Sequence, residues 1–372
     1  MKLSIFLIII LVTATSCQTK KKKTPSQKEA YPFFLGTYTS ENSEGIYHYI
    51  LEADGQITQK KLMAKAENPS FLAMSTDEKY LVTVNELKDG TVSSYSITKD
   101  SLKLESRTPS GGAHPCFIAI DDDNDVLIAN YTGGNVGLLK LKDDGKLTEL
   151  LFLEEHVGKG TNTSRQEGPH AHSVWFVPGE DKTNIVSADL GTNELWFAKL
   201  NKETSKLDPA ETQKLQMPDG SGPRHLTFHP NGKWIYVLNE LNGAITHVIK
   251  DDNTYSVAES ASILPTDFNA ENTTADIHIS SDGKFVYASN RGHNSIAVLQ
   301  VNEDDGSLKL LANESTRGET PRNFALSPDD NYLIVANQKT NNLVSFKRNE
   351  ETGLLEFVSE TEAPTPVCIL FY

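Results

Sequence analysis

A two-stranded pattern recurs six times along this chain, and no other feature limits its fold so strongly. The clearest copy runs from Gly222 to Glu240, where two short alternating apolar stretches flank Pro230-Asn231-Gly232. Alternation broken by a Pro/Asn/Gly cluster predicts strand, tight turn, strand. Equivalent copies start at Pro69, Pro115, His172, Asp276 and Pro321. Their starts lie about 45 to 57 residues apart, the period of a β-propeller blade. A third strand follows each hairpin, as in Ser295-Ile296-Ala297-Val298-Leu299-Gln300-Val301. A fourth follows a glycine turn, as in Gly306-Ser307-Leu308-Lys309-Leu310-Leu311.

The two ends supply a further unit. Pro366-Val367-Cys368-Ile369-Leu370-Phe371-Tyr372 reads as a lone first strand, and Phe33-Phe34-Leu35-Gly36-Thr37-Tyr38-Thr39 as a second strand lacking a first. Paired, they build a seventh blade from both termini and leave no open edge between first and last blades. The reading is therefore all-β: a seven-bladed β-propeller of four-stranded antiparallel blades over residues 32–372. Two separate β-sandwiches would need a linker dividing the repeat, and none is present. The longest interruption, Glu154 to Gly168, reads as a loop between blades.

Ahead of the repeat, Met1-Lys2 and an apolar run from Leu3 to Val12 read as a secretory signal over 1–16, too short to span a bilayer. Thr13-Ala14-Thr15-Ser16-Cys17 resembles a lipobox. Its expected outcome is cleavage before Cys17, lipidation of that thiol and a flexible tether over 17–31 carrying Lys20 to Lys23. This predicts a periplasm-facing lipoprotein of a Gram-negative envelope, with a secreted or soluble periplasmic protein as the alternative. Contact with membrane is then expected only through the lipid anchor. Cys116 and Cys368 fall in units two apart around the ring and are expected as buried free thiols rather than a disulfide. The net charge of −15 and the lack of a basic block in the folded region argue against nucleic-acid binding. A local arginine cluster could still hold a small anion. The chain is expected to be a monomer.

In a four-stranded blade whose first strand lines the channel, the start of strand one and the end of strand two share one rim. That rim collects Glu86, His114, Tyr131, His170, His172, Asp189, Arg224, His225, Glu240, Asn290, Arg291, Arg322, Asn337 and Gln338. The opposite rim collects turn residues such as Asp77, Asn231 and Asp282. No Cys/His cluster has metal-ligand spacing, no phosphate-binding loop or Gly-X-Ser-X-Gly elbow is present, and no cofactor is expected.

Several stretches carry a family resemblance. They are Arg165-Gln166-Glu167-Gly168-Pro169-His170-Ala171-His172, Gly222-Pro223-Arg224-His225, His229-Pro230-Asn231-Gly232-Lys233, Asn239-Glu240, Ser289-Asn290-Arg291-Gly292 and Pro321-Arg322-Asn323-Phe324. In that order they resemble the seven-bladed 6-phosphogluconolactonase family, which includes fungal 3-carboxy-muconate lactonizing enzymes. The resemblance implies a site at the channel mouth carried by His172 or His170 with Arg224, Arg291 and Glu240. Arg322, Asn337, Gln338, Glu86 and Tyr131 are expected to bind the substrate.

The residue types suit lactone hydrolysis. Histidine titrates near neutrality and can deprotonate the attacking water. Arginine stabilises the tetrahedral oxyanion and grips phosphate or carboxylate through its planar fork. The same set could interconvert a muconolactone and its open diacid. A non-catalytic envelope propeller that binds a ligand or protein partner is the remaining alternative. Arg224–Glu240 could also be only an ion pair that closes a blade, and Arg322 could pair with Glu86. His225 and His278 are expected in the blade packing, and the repeated Asn85, Asn130, Asn239, Asn290 and Asn337 as backbone ties.

Overall fold

The computed structural model describes residues 30–39, 42–179 and 182–372. The expected signal segment, Cys17 and nearly all of the tether lie outside them. The described residues form seven four-stranded antiparallel sheets and no α-helix. The innermost strands are Pro366–Phe371, Leu72–Met74, Pro115–Ile120, Ala171–Phe176, Pro223–Phe228, Thr273–Ile279 and Pro321–Leu326, and each packs against the next around the ring. The predicted seven-bladed propeller is therefore the observed fold.

The closing blade has the strand order Pro366–Phe371, Tyr31–Thr37, Gly45–Leu51, Ile57–Lys65. Its seam pairs Phe33 with Phe371 and Leu35 with Ile369. N- and C-terminal segments thus share one sheet, and ring closure does not depend on face-to-face packing alone.

Apolar layers between blades hold the disc together. Leu127, Ala129, Val136 and Leu138 of one blade pack with Val174, Ile185 and Leu200 of the next. Fully burying such a side chain contributes roughly 1.5–3 kcal/mol. A second device recurs at the blade edges. A second-strand tyrosine reaches a turn carbonyl of the next blade: Tyr236 Oη donates to Gly306 O and Tyr287 Oη to Gly353 O, both at 2.8 Å.

The rim opposite the channel mouth is built of turns. Ser75 Oγ donates to Asp77, Ser280 Oγ to Asp282, and Lys233 N to Asn231 Oδ1. These side chains satisfy their own turns, as expected of short polar residues there. The repeated asparagines tie backbone at the other rim: Asn85 donates to Glu67 O, Asn130 to Ser110 O, Asn290 to Ile263 O and Asn337 to Thr316 O. Asn239 instead donates to Thr246 Oγ1. Cys116 and Cys368 are buried and unpaired with one another.

Candidate active site at the channel mouth

Four innermost strands begin with the same irregularity. Their pairing to the second strand slips between Pro115 and Phe117, Ala171 and Ser173, Pro223 and His225, and Pro321 and Asn323. Each slip leaves one residue without a ladder partner: Cys116, His172, Arg224 and Arg322. A bulge of this kind re-aims a side chain that strict alternation would place elsewhere. All four line one open cavity of about 350 Å³ at the mouth. Glu86, Tyr131 and Glu240, just past second strands, join them with Arg291, Arg165 and Thr273.

Glu240 is the hub of this cavity. Its Oε2 accepts from Arg224 at 3.1 Å and pairs with Arg291 at 3.0 Å, and its Oε1 accepts from Arg165 at 2.6 Å. Burial alone would raise its pKa, but Arg291 and Arg224 hold it well below the carboxylate range. The arginines are fixed at their other atoms. Arg224 Nε donates to Ala275 O at 2.7 Å and Arg291 to Thr274 O at 2.5 Å.

His172 is buried beside this knot, and its Nε2 touches an Arg224 nitrogen. A guanidinium only donates, so Nε2 accepts and the proton sits on Nδ1, 3.6 Å from Cys116 Sγ. Burial and then Arg224 push the imidazole well below its usual pKa, so it is neutral. The Cys116 thiol is pushed up by burial and is not a thiolate. Tyr131 packs edge-on against His172 with ring centroids 5.1 Å apart.

Arg322 stands apart from the knot. Its guanidinium donates to Tyr38 Oη at 2.7 Å, and Tyr38 Oη donates to Glu86 Oε2 at 2.8 Å, which Ser70 Oγ also reaches. The direct Arg322–Glu86 pair, one of the two alternatives for Arg322, is thus replaced by a tyrosine bridge. The cavity carries four guanidiniums against two carboxylates, a cationic mouth in a chain of net charge −15.

The structure brings together His172, Arg224, Glu240, Arg291, Arg322, Glu86 and Tyr131. It leaves His170, Asn337 and Gln338 out of the cavity lining. His170 stacks flat on Tyr131, and its two ring nitrogens are bonded to Tyr131 O and Glu167 Oε1. Asn337 is fully buried, and its amide is committed to Thr316 O. Gln338 lies half-buried on the rim, held by its backbone to Thr320 O. Among the other rim residues, His114 bonds Thr132, and Asp189 is buried under a loop. His225 turns away to Asp276, which His278 shares, as expected for packing residues. Sequence reasoning missed Cys116, Arg165, Thr273 and Tyr38. A signal for Cys116 was present: Pro115-Cys116, Pro223-Arg224 and Pro321-Arg322 occupy the same place in the repeat.

Comparison with known proteins agrees with the seven-bladed fold. Residues 32–371 match the family model described as lactonase, 7-bladed beta-propeller. A Bacillus subtilis 6-phosphogluconolactonase is 35% identical over 79% of this chain and 84% of its own length. One from Formosa agariphila is 33% identical over 79% and 85%. A solved Pseudomonas aeruginosa periplasmic gluconolactonase superposes with a TM-score of 0.87 at 28% identity, covering 92% of this chain and 99% of that one. A Lactobacillus plantarum protein structure gives the same TM-score at 31% identity, covering 92% and 100%.

Proposed function

The chain belongs to the seven-bladed β-propeller lactonase family of lactone-hydrolysing enzymes, and on that premise we propose that it opens sugar lactones bearing an anionic group. The cationic mouth is the observation that carries this reading. Three of its guanidiniums share Glu240, whereas Arg322 has no carboxylate within ion-pair distance among the described residues and is held by the Tyr38 hydroxyl. Arg322 is thus the least neutralised guanidinium open to a terminal phosphate or carboxylate.

In the proposed reaction the lactone carbonyl faces Arg224 and Arg291. The carbonyl oxygen takes over the Arg224 N–H that His172 Nε2 accepts in the free protein. That exchange frees the imidazole lone pair to take a proton from water as the water oxygen attacks the carbonyl carbon. The arginines stabilise the oxyanion. When the ring C–O bond breaks, the imidazolium returns its proton to the leaving alkoxide, giving the open hydroxy acid. Glu240 is tied by three guanidiniums and serves as their counter-charge rather than as the base.

The Leu3–Val12 run and Cys17 favour work in the cell envelope, and the Pseudomonas relative is named periplasmic. Palmitate labelling that disappears in Cys17→Ala is the expected outcome for a lipid anchor. The substrate test is hydrolysis of glucono-δ-lactone with and without a 6-phosphate, and of a 6-carboxylate lactone. Preference for the charged lactones, reduced in Arg322→Gln by about tenfold in kcat/KM, supports the reading. Equal rates on charged and neutral lactones in both proteins count against the anionic preference.

A further inference from the structure

The loop over residues 156–170 is held at both ends and in the middle. At its start, His156 Nδ1 bonds Asp189 Oδ2 at 2.7 Å, and its ring stacks on Trp196 with centroids 4.0 Å apart. At its end, His170 N donates to Asp189 Oδ1 at 2.8 Å, so one carboxylate clips both ends. In the middle, Gln166 is fully buried. Its Nε2 donates to Leu190 O at 2.9 Å and Asn193 Oδ1 at 3.1 Å, while its Oε1 accepts from Asn162 N. The loop lies tight against the blade at Gly191, where a Cβ would overlap Gly168 O.

Between these anchors sits Arg165. Its guanidinium reaches Glu240 Oε1 at 2.6 Å and Tyr131 Oη at 3.3 Å. Its side chain is 36% exposed, against 3% for Arg224 and 13% for Arg291. It is the outermost member of the Glu240 knot and the first of the three that a ligand entering the mouth meets.

We propose that residues 156–170 form a strap that sets Arg165 over the mouth as a substrate clamp, with Gln166 and Asp189 as its positioning residues. The proposal rests on the lactonase reading for its ligand and not for its geometry. Holding a long side chain in one place before binding lowers the ordering cost of each encounter, so the clamp acts on ground-state binding. A buried glutamine satisfied by two acceptors and one donor fixes the adjoining residue more firmly than an exposed turn would.

The test compares wild type, Arg165→Met, Gln166→Leu and the double variant on 6-phosphoglucono-δ-lactone. Arg165→Met removes a partly exposed group and leaves the anchors in place. It is expected to raise KM by about tenfold with kcat within about threefold. Gln166→Leu is expected to give a similar KM, and the double variant one no higher than the worse single, because Gln166 acts through Arg165. Arg165→Lys recovers part of the loss. An unchanged KM in Arg165→Met overturns the clamp. Multiplying effects in the double variant, or loss of kcat alone, make the strap merely structural and overturn the positioning role. If wild type hydrolyses no lactone, the lactonase reading fails by itself. The same four proteins are then titrated calorimetrically with 6-phosphogluconate, where the same order of affinities supports the strap and equal affinities overturn it.

Discussion

His172 and Glu240 show how burial and charge assign roles within one cavity. Burial drives His172 well below its ordinary pKa and Glu240 the opposite way, but the arginines around Glu240 reverse the second shift. Glu240→Gln is therefore expected to be strongly destabilising, on the order of 3–5 kcal/mol, because it strips the counter-charge from buried guanidiniums. Urea unfolding measures this, and a loss under about 1 kcal/mol contradicts the hub role. The histidines also predict how stability varies with pH. His172 is depressed, and His225 lies at about 4, both through burial. For such groups the unfolded chain binds more protons below its own histidine pKa, so stability falls as pH drops from about 6.5 towards 4. His156 and His278 are raised by their carboxylate neighbours against the effect of burial. Their contribution is complete below about 6.5 and fades as pH rises through their folded values. The two pairs act in opposite directions, so the check is a difference between proteins: the loss of stability from about pH 6.5 to 4 should be smaller in His225→Gln than in wild type, and an equal loss contradicts the assignment.

At the scale of elements, the bulge at the start of four inner strands couples fold to site. It turns Cys116, His172, Arg224 and Arg322 into the mouth, while the next residue, as with His225, rejoins the packed layer. The hairpins, their spacing and the shared rim were legible because alternation and turn residues are local signals. The bulge was not, since the sequence pattern of a slipped strand differs by one residue from that of a regular one. That slip separates His172 from His170, and mouth residues from structural asparagines such as Asn337. Arg165 was hidden for another reason: its placement depends on the long-range anchors of Gln166 and Asp189, which no periodicity reveals. The tyrosine-to-turn contacts between blades give a prediction at this scale. Gly353 has φ 71°, and a Cβ there would press into the Phe285 ring. Gly353→Ala should cost about 1–3 kcal/mol and lower the melting temperature, from overpacking together with left-handed strain. An unchanged melting temperature contradicts this account of the seam.

For the whole molecule, the ring brings residues from six blades to one opening, and its closure depends on the strand Pro366–Phe371 pairing with Tyr31–Thr37. Deleting residues 366–372 removes an innermost strand and exposes a long edge, so the truncated chain is expected to lose cooperative unfolding and to aggregate. Sharp two-state melting of a monodisperse truncated protein contradicts that dependence. The proposed reaction centre at this mouth is built on a neutral His172 beside Arg224. Its most direct test is the hydrolysis of 6-phosphoglucono-δ-lactone at pH 7, corrected for the spontaneous rate, by wild type, His172→Ala and His172→Gln. Enzymatic turnover is expected in wild type and a fall in kcat of about 10²–10⁴ in both variants, with the fold intact by circular dichroism. Wild-type turnover no faster than buffer, or variants as active as wild type, would contradict it.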